Sequence, residues 1–547
     1  MQASCDDEDG VVYKDVVVIG NGPSGICLSY MLAGNWPYYT GEPHPGDEML
    51  TARLHFSTRS ENDDRYEKID RETEDESSNN PWKTNGGSDE GRKGLADSTR
   101  CKLECLSSGL EGRQGGRPLA LLMDHLQHPC VDTGFDVPSL LTWKSVEQRS
   151  EHKVIDHVVL GKGQAGGSWQ SMDPNVLTIS LNRWMSMPDL DIREWEALIE
   201  SEQFRRTNAS DGEPYACKTA SRVSVGTVAA YYRDYVRLKR LEQYFRCGTI
   251  VTSVRPSENR SNGRHDCHGW TVDGFEMQTG RPFRYRCKRV VLATGTTDLT
   301  NRLGVPGEDS HPDWVTHDLN ELESKLDRLL DRQHGSNVEG RQSVDPVLVI
   351  GAGLSAADAI IAARFRGIPV LHAFRDPSGE LGKPGAEKKR AFYERLQGLP
   401  SSMYPEYHKV YEMMAEGGTN YPLYKTLPSY SLIGFPEDGT DRRVVTLSDS
   451  AGHVHAFRVS VVAILIGYKP DLSYLEAAGI GLGKYPDKPI DCKSNPIEVD
   501  DFTYEATKAP RSGLYALGPL VGDNFVRYVL GGAFGILVHI LNSSSPT

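Results

Sequence analysis

"VVVIGNGPSGIC", residues 16–27, decides how the rest of the chain is read. Four apolar residues, Val16 to Ile19, run into Gly20-Asn21-Gly22-Pro23-Ser24-Gly25. The pattern is a strand, a glycine turn and a helix from about Pro23 to Leu32. In such a turn the first glycine permits the tight bend and the second lets backbone approach a pyrophosphate. The third lets the helix pack on the strand. The helix N-terminus then faces the anion. One such motif is weak evidence, because glycine turns are common.

A second copy strengthens the reading. Residues 346–364, "PVLVIGAGLSAADAIIAAR", repeat the strand, turn and helix, with Gly351, Gly353 and Ala356 in the three places and Ser355 beside them. Its next strand, Val370–Phe374, ends at Arg375. A dehydrogenase for NAD has a carboxylate there; an arginine suits the 2′-phosphate of NADPH. The plainer reading is a solvated surface arginine. His372, inside that strand, is expected to be a packed histidine.

The first copy has a less usual partner. Glu42 lies twenty-two residues after Gly20, but "WPYYTGE" contains Pro37 and Gly41 and makes a poor strand. Ile155–Leu160 is the better second strand, more than a hundred residues on, and it ends at Gly161-Lys162 with no carboxylate.

The remaining pattern alternates strands and helices. "PLALLMDHL" from Pro118 and residues 319–333 read as helices, and Val223–Phe245 as an amphipathic one. Ile250–Val254 and Trp270–Met277 read as strands, and Arg289–Gly295, Val459–Gly467 and Gly513–Gly518 as strands ending on glycine. The expected fold is α/β, with parallel sheets covered by helices on both faces in three layers. Residues 57–116 are polar and of mixed charge, which predicts disorder there, within a polar, largely disordered insertion at 35–117. The 547 residues fit two to four domains. A formal charge of −14 argues against a nucleic-acid surface. The first residues lack the basic and apolar regions of a signal peptide. Phe525–Leu541 is apolar but contains Arg527 and His539, and is expected to be a buried core helix rather than a transmembrane segment. Ten cysteines without framework spacing fit a reducing compartment, cytoplasm or nucleus.

Several stretches together resemble a known superfamily. "GNGPSGICLSY", "GGSW" at 166–169, "MPDL" at 187–190, "VLATG" at 291–295 and "VIGAGLSAADA" at 349–359 fall in the order of flavin-containing monooxygenases. "IGYKPDLSYL" at 466–475 and "GLYALGPLVGDNF" at 513–525 continue it. "MYPEYHKVYEMM" at 403–414 and "GDNFVRYVLGGA" at 522–533 are similar to the oxidative-stress-induced growth inhibitor proteins, a divergent branch.

The resemblance implies two Rossmann-like dinucleotide-binding domains. One, for FAD, takes 11–34, 118–305 and 458–547; the other, for NADPH, takes 306–457. It places Gly20, Gly22, Pro23, Ser24, Gly25, Gly166, Gly167, Trp169, Gly295, Gly518 and Asp523 about FAD, with Gly518 and Asp523 at the start of the last helix. Gly351, Gly353, Ser355, Ala356 and Arg375 would hold NADPH, and Gly467 would end a strand near the domain junction. It implies an NADPH- and FAD-dependent monooxygenase using O2 on a small molecule or protein, with no metal, acting in growth, differentiation or cell-death control under oxidative stress. Regulatory protein partners are a further implication. The cofactors carry the redox steps, so no protein nucleophile is needed. Asn182 and Trp184, in "SLNRWMSMPDL", are the candidates for the flavin edge, with core packing the alternative for Trp184 and Met185.

The departures are specific. Gly161 stands where the superfamily keeps a ribose glutamate. "PGEDSHPDWVTHDL" keeps Gly307 and a histidine, His317 or His311, without the flanking phenylalanine and tyrosine. Leu465-Ile466-Gly467 replaces alanine-threonine-glycine. They support a second reading, a weakly catalytic scaffold or NADPH sensor. A disulfide reductase would need a cysteine pair at the flavin; Cys27 has no partner in its helix, and Cys101 and Cys105 sit at the edge of the insertion. "EKKRAFYERL" at 387–396 is read as a solvated helix face, and the tyrosine-rich 403–414 as a packed helix beside the NADPH pocket.

Overall fold

An apolar run with no polar alternation belongs in a strand covered on both faces. Val16–Ile19 obey this: all are at most 4% exposed. A computed structural model describes residues 10–58, 94–110, 116–129, 136–207, 221–257, 269–335, 344–375, 396, 399–435 and 443–543. The chain divides into two compact units, Met1–Thr296 with Pro470–Thr547, and Thr297–Lys469.

In the first unit, β1 (Val11–Ile19) leads through the glycine turn to α1 (Pro23–Leu32). Next come β2 (Trp36–Tyr39), α2 (Glu48–Thr58), α3 (Arg100–Ser107), α4 (Pro118–Gln127) and β3 (Leu141–Lys144). Then follow β4 (His157–Gly161), α5 (Val225–Leu238), β5 (Phe245–Cys247), β6 (Thr249–Pro256), β7 (Trp270–Glu276) and β8 (Pro282–Leu292). The sheet order is β5-β4-β1-β8-β7-β6. β1 is parallel to both β4 and β8, with Ile19 opposite Leu160 and Leu292. β7 and β6 add an antiparallel margin. In α5 the Ser224 side chain caps the Thr227 amide, and Val228, Tyr231, Tyr232 and Tyr235 form its buried face.

The second unit holds β9 (Val315–Thr316), α6 (Leu319–Gly335), β10 (Val347–Ile350), α7 (Leu354–Phe365), β11 (Val370–Phe374), α8 (Pro405–Ala415) and β12 (Tyr424–Pro428). It continues with β13 (Ser431–Gly434), β14 (Val444–Ser448), β15 (Val454–Arg458) and β16 (Val462–Ile464). Its five-stranded sheet has the order β9-β16-β10-β11-β12 and is parallel throughout. β13–β15 form an antiparallel sheet of their own. The chain then returns to the first unit with β17 (Leu514–Ala516), which pairs with β8, and α9 (Val529–Ser543).

Two sequence expectations need correction. The units divide at 296/297 and 469/470, not at 305/306 and 457/458. The reason is that Leu299–Thr300 pairs antiparallel with Tyr468–Lys469, which ties both crossing segments to the second unit. The second concerns 35–117, expected to be largely disordered: 35–58 and 94–110 within it are ordered parts of the first unit. β2 is buried and pairs with β3 in a two-stranded ribbon, where Pro37 is tolerated. Leu50, Leu54, Leu95, Leu103, Leu106 and Leu110 are each at most 4% exposed. A few well-spaced leucines suffice to bury a helix face, while the window average stays polar. Residues 59–93 and 111–115 lie outside the described ones, as does 387–395 of the basic stretch.

The last helix packs between α1 and α4. Gly531 makes this possible: a Cβ there would lie 2.4 Å from Ala120 Cα. Val526–Ser543 is long and apolar enough to cross a membrane, yet 72% of it is buried inside the protein.

The buried leucines give a direct test of the ordered segment. Leu103→Ala should lower unfolding stability by about 2–5 kcal/mol, the usual range for a core leucine. Chemical denaturation would measure it, and a loss under about 0.5 kcal/mol would return 94–110 to the surface.

Candidate functional site

The first turn is built by backbone lying on backbone. Gly20 has φ +116°, and a Cβ there would sit 2.2 Å from the Ala293 carbonyl oxygen at the end of β8. The Gly20 amide donates to Leu160 O at 2.8 Å, so one residue is held by both neighbouring strands. A Cβ on Gly25 would lie 2.0 Å from Gly20 O, which seats α1 on β1. Gly22 differs: a Cβ there would meet nothing nearer than 4.0 Å. Gly22 is also the N-cap of α1, with Pro23 following and no side chain capping it. The bend, the close seat and the open approach thus fall on the three expected glycines.

Distant segments converge on this turn. The Gly166 amide donates to Asn21 O at 2.9 Å, and a Cβ on Gly167 would lie 2.9 Å from Gly22 Cα. A Cβ on Gly518 would lie 2.4 Å from Ser24 Oγ. Trp169 is half-buried and meets Tyr232 edge-on at 6.1 Å. Gly295 has φ +73° and open space where a Cβ would point. The Asp523 carboxyl faces inward, accepting from Tyr504 Oη at 2.9 Å. Burial pushes that carboxyl up to about 6, against the pull of Arg117 and Tyr504. Gly518 opens a short 3-10 turn, and α9 begins only at Val529, so neither Gly518 nor Asp523 starts the last helix. Glu42 is exposed and follows β2, which pairs with β3 and not with β1.

The second turn repeats the construction. Gly351 has φ +133°, and a Cβ there would lie 2.3 Å from Leu465 O, after β16. Gly353, the N-cap of α7, has open space instead, and Ala356 is fully buried. Arg375 stands exposed at the tip of β11. His372 braces the turn from behind, 2.6 Å from Gly351 O through Nε2 and 2.7 Å from Tyr424 Oη through Nδ1. The carbonyl can only accept, so Nε2 carries the proton and Nδ1 accepts from the tyrosine. α8 packs on α7 through buried Tyr407, Val410, Met413 and Met414, and Tyr407 Oη donates to Asp358 at 2.9 Å. In the same unit His317 Nε2 meets Glu308 Oε1 at 2.8 Å, and Glu308 accepts the Gly304 amide at 2.8 Å, which ties His317 to the loop at 303–308.

Asn182 and Trp184 stand in a short 3-10 helix, Asn182–Met185. Asn182 is fully buried; its Oδ1 accepts the Arg183 amide at 2.9 Å, while its Nδ2 has no partner. Trp184 Nε1 is likewise a buried donor without a partner. The Arg527 guanidinium lies 5.2 Å above the Trp184 ring and 3.4 Å from Asp124, whose other oxygen meets His128 at 3.1 Å. Sequence reasoning missed Arg527, Asp124 and His128; a charged arginine inside the apolar 525–541 stretch was the available signal. Met185 is plain core.

Among the described residues the cysteines are free, with no disulfide between them. Burial pushes the Cys27 thiol far up, and Cys287 up to about 12, so neither thiol yields a nucleophilic thiolate near neutrality. Cys101 and Cys105 are free and exposed on α3.

No protein-family model matches the chain. Among curated proteins it is 38% identical to human oxidative stress-induced growth inhibitor 1, over 97% of this chain and 95% of that one. The chain belongs to this family. Human oxidative stress-induced growth inhibitor 2 is 35% identical over 97% of this chain and 93% of its own, and the Caenorhabditis elegans homologue is 26% identical over 97% and 95%. Bacillithiol disulfide reductase of Staphylococcus aureus shares the fold, with a TM-score of 0.50 at 13% identity, covering 98% of this chain and all of that one.

The buried histidines make stability depend on pH. Burial pushes His157 and His372 each down to about 4, against 6.5 in the unfolded chain. The unfolded chain takes up these protons first, so stability present above about pH 6.5 is lost as pH falls towards 4. Asp523, raised by burial, acts in the opposite sense and loses its contribution as pH rises through 6. His372→Gln should flatten the fall in melting temperature between pH 6.5 and 4.5; parallel curves for the two proteins would refute the assignment.

Proposed function

We propose that the chain is an NADPH- and FAD-dependent monooxygenase-like protein, acting in growth or cell-death control under oxidative stress in the cytoplasm or nucleus. The convergence of Gly20–Gly25 with Gly166, Gly167 and Gly518 carries this reading. At Gly20, Gly25 and Gly167 a Cβ would collide with backbone, whereas Gly22 has open space where a pyrophosphate can approach the helix N-terminus. In this reading that turn takes FAD, and Gly351, Gly353, Ser355 and Ala356 take the NADPH pyrophosphate. Arg375 meets the 2′-phosphate.

The residues present suit these groups. Asn182 Nδ2 and Trp184 Nε1 are buried donors awaiting an acceptor, and a flavin edge offers carbonyl oxygens and ring nitrogens. A donor left unmet in a buried place is costly, so an acceptor arriving there is favoured. Arg527, held by Asp124, adds positive charge beside Trp184. When bound, the pair of cofactors would supply reducing equivalents to O2. The protein's share is to position the groups, exclude water and hold donors where negative charge develops.

The bare strand tip at Gly161 favours a second reading, a regulatory scaffold or NADPH sensor with little turnover. The two separate on one preparation. The enzyme reading expects a flavin absorbance spectrum in purified protein and NADPH oxidation in air above that of free FAD. A colourless protein that cannot be loaded with FAD overturns it. Arg375→Ala should raise the KM for NADPH about tenfold or more, the worth of a charge-assisted hydrogen bond, and leave that for NADH nearly unchanged. Equal changes for both nucleotides would remove Arg375 from the 2′-phosphate.

A further inference from the structure

The absent carboxylate at Gly161 has a partner in the turn itself. A Cβ on Gly161 would lie 2.1 Å from Asn21 Cγ, 2.2 Å from Nδ2 and 2.5 Å from Oδ1. The Asn21 carboxamide thus lies directly over the tip of β4, where a strand-tip side chain would start. It is fixed in place. Nδ2 donates to Gly163 O at 2.7 Å and points a second hydrogen bond at Cys247 Sγ, 3.6 Å away on β5. The carbonyl can only accept, which settles which end of the amide is nitrogen. Asn21 is 4% exposed, so it is a plug held by protein rather than a group held out to a ligand. The next residue, Lys162, is a cation paired with Asp471 at 3.4 Å, and Asp471 also accepts from Ser473 Oγ at 2.6 Å.

We infer that Asn21 closes the strand tip against a carboxylate, so that the first turn holds its dinucleotide by the pyrophosphate without reading the adenosine ribose. The inference rests on that turn being a dinucleotide site. It has two parts. Asn21 and any side chain at 161 exclude each other. With no carboxylate at the tip, the ribose 2′-hydroxyl loses the acceptor that dinucleotide turns ordinarily give it.

Four proteins test this: wild type, Asn21→Ala, Gly161→Glu and the double variant. The probes are FAD and its 2′-deoxyadenosine analogue, followed by flavin fluorescence, with melting temperatures taken alongside. Wild type should bind the two probes within about twofold of each other, as expected when no hydrogen bond reads the hydroxyl. Gly161→Glu alone should lower the melting temperature by several degrees and weaken FAD. The double variant should recover the melting temperature and prefer FAD over the analogue about tenfold, one charged hydrogen bond's worth. Wild-type discrimination of tenfold would overturn the ribose part. A Gly161→Glu protein as stable as the double variant would overturn the exclusion. A wild-type chain that takes up no FAD would refute the cofactor reading and the ribose part with it, and the melting temperatures would still decide the exclusion separately.

Discussion

Much of this structure depends on one close approach between main chains. Gly20 lies against the Ala293 carbonyl so closely that a methyl group would stand 2.2 Å from the oxygen. That contact joins the end of β1 to the end of β8 and leaves the second half of the turn open above both. The same contact recurs between Gly351 and Leu465 in the other unit, at 2.3 Å. In both, the strand supplying the carbonyl runs on to a glycine of positive φ two residues later, Gly295 or Gly467. So at Leu465-Ile466-Gly467 it is the main chain of Leu465, not its side chain, that makes the contact with the turn.

The strands beside β1 are remote in sequence, and this determines what must fill the gap. β4 begins at His157, long after α1 ends at Leu32. Much of the intervening chain builds a helical layer, and α9 comes back from the end of the sequence to lie between α1 and α4. Gly531 and Gly535 admit it: Cβ atoms there would lie 2.4 Å from Ala120 Cα and 2.5 Å from Phe502 O. A helix apolar on nearly every side is the natural product of such a position, because it meets protein all round.

Both glycine turns, their strands, the β4 partner and the buried last helix were legible in the sequence. Each is announced by a residue type with few alternatives: glycine where backbone meets backbone, or an unbroken apolar run. What was not legible follows the opposite pattern. Leu103, Leu106 and Leu110 are ordinary residues in a polar neighbourhood, and only their spacing betrays a buried face. Asp523 reads as a flavin-end carboxylate, yet it turns to Tyr504, a contact made across nineteen residues of chain. The two unpartnered donors at Asn182 and Trp184 could not be read from sequence, because an unmet hydrogen bond exists only once the surroundings are built.

The two turns differ most at the residue between their first two glycines. In the second turn it is Ala352, a buried residue with no polar side chain, and β11 ends in exposed Arg375. The brace there comes from below, from neutral His372 on the Gly351 carbonyl. In the first turn it is Asn21, whose amide crosses to Gly163 and Cys247 and covers Gly161. A single long polar side chain thus does in the first unit what a buried histidine does in the second, but from above, over the ground where a ribose would be read. The structure secures both turns; only the second does so without giving up its strand tip.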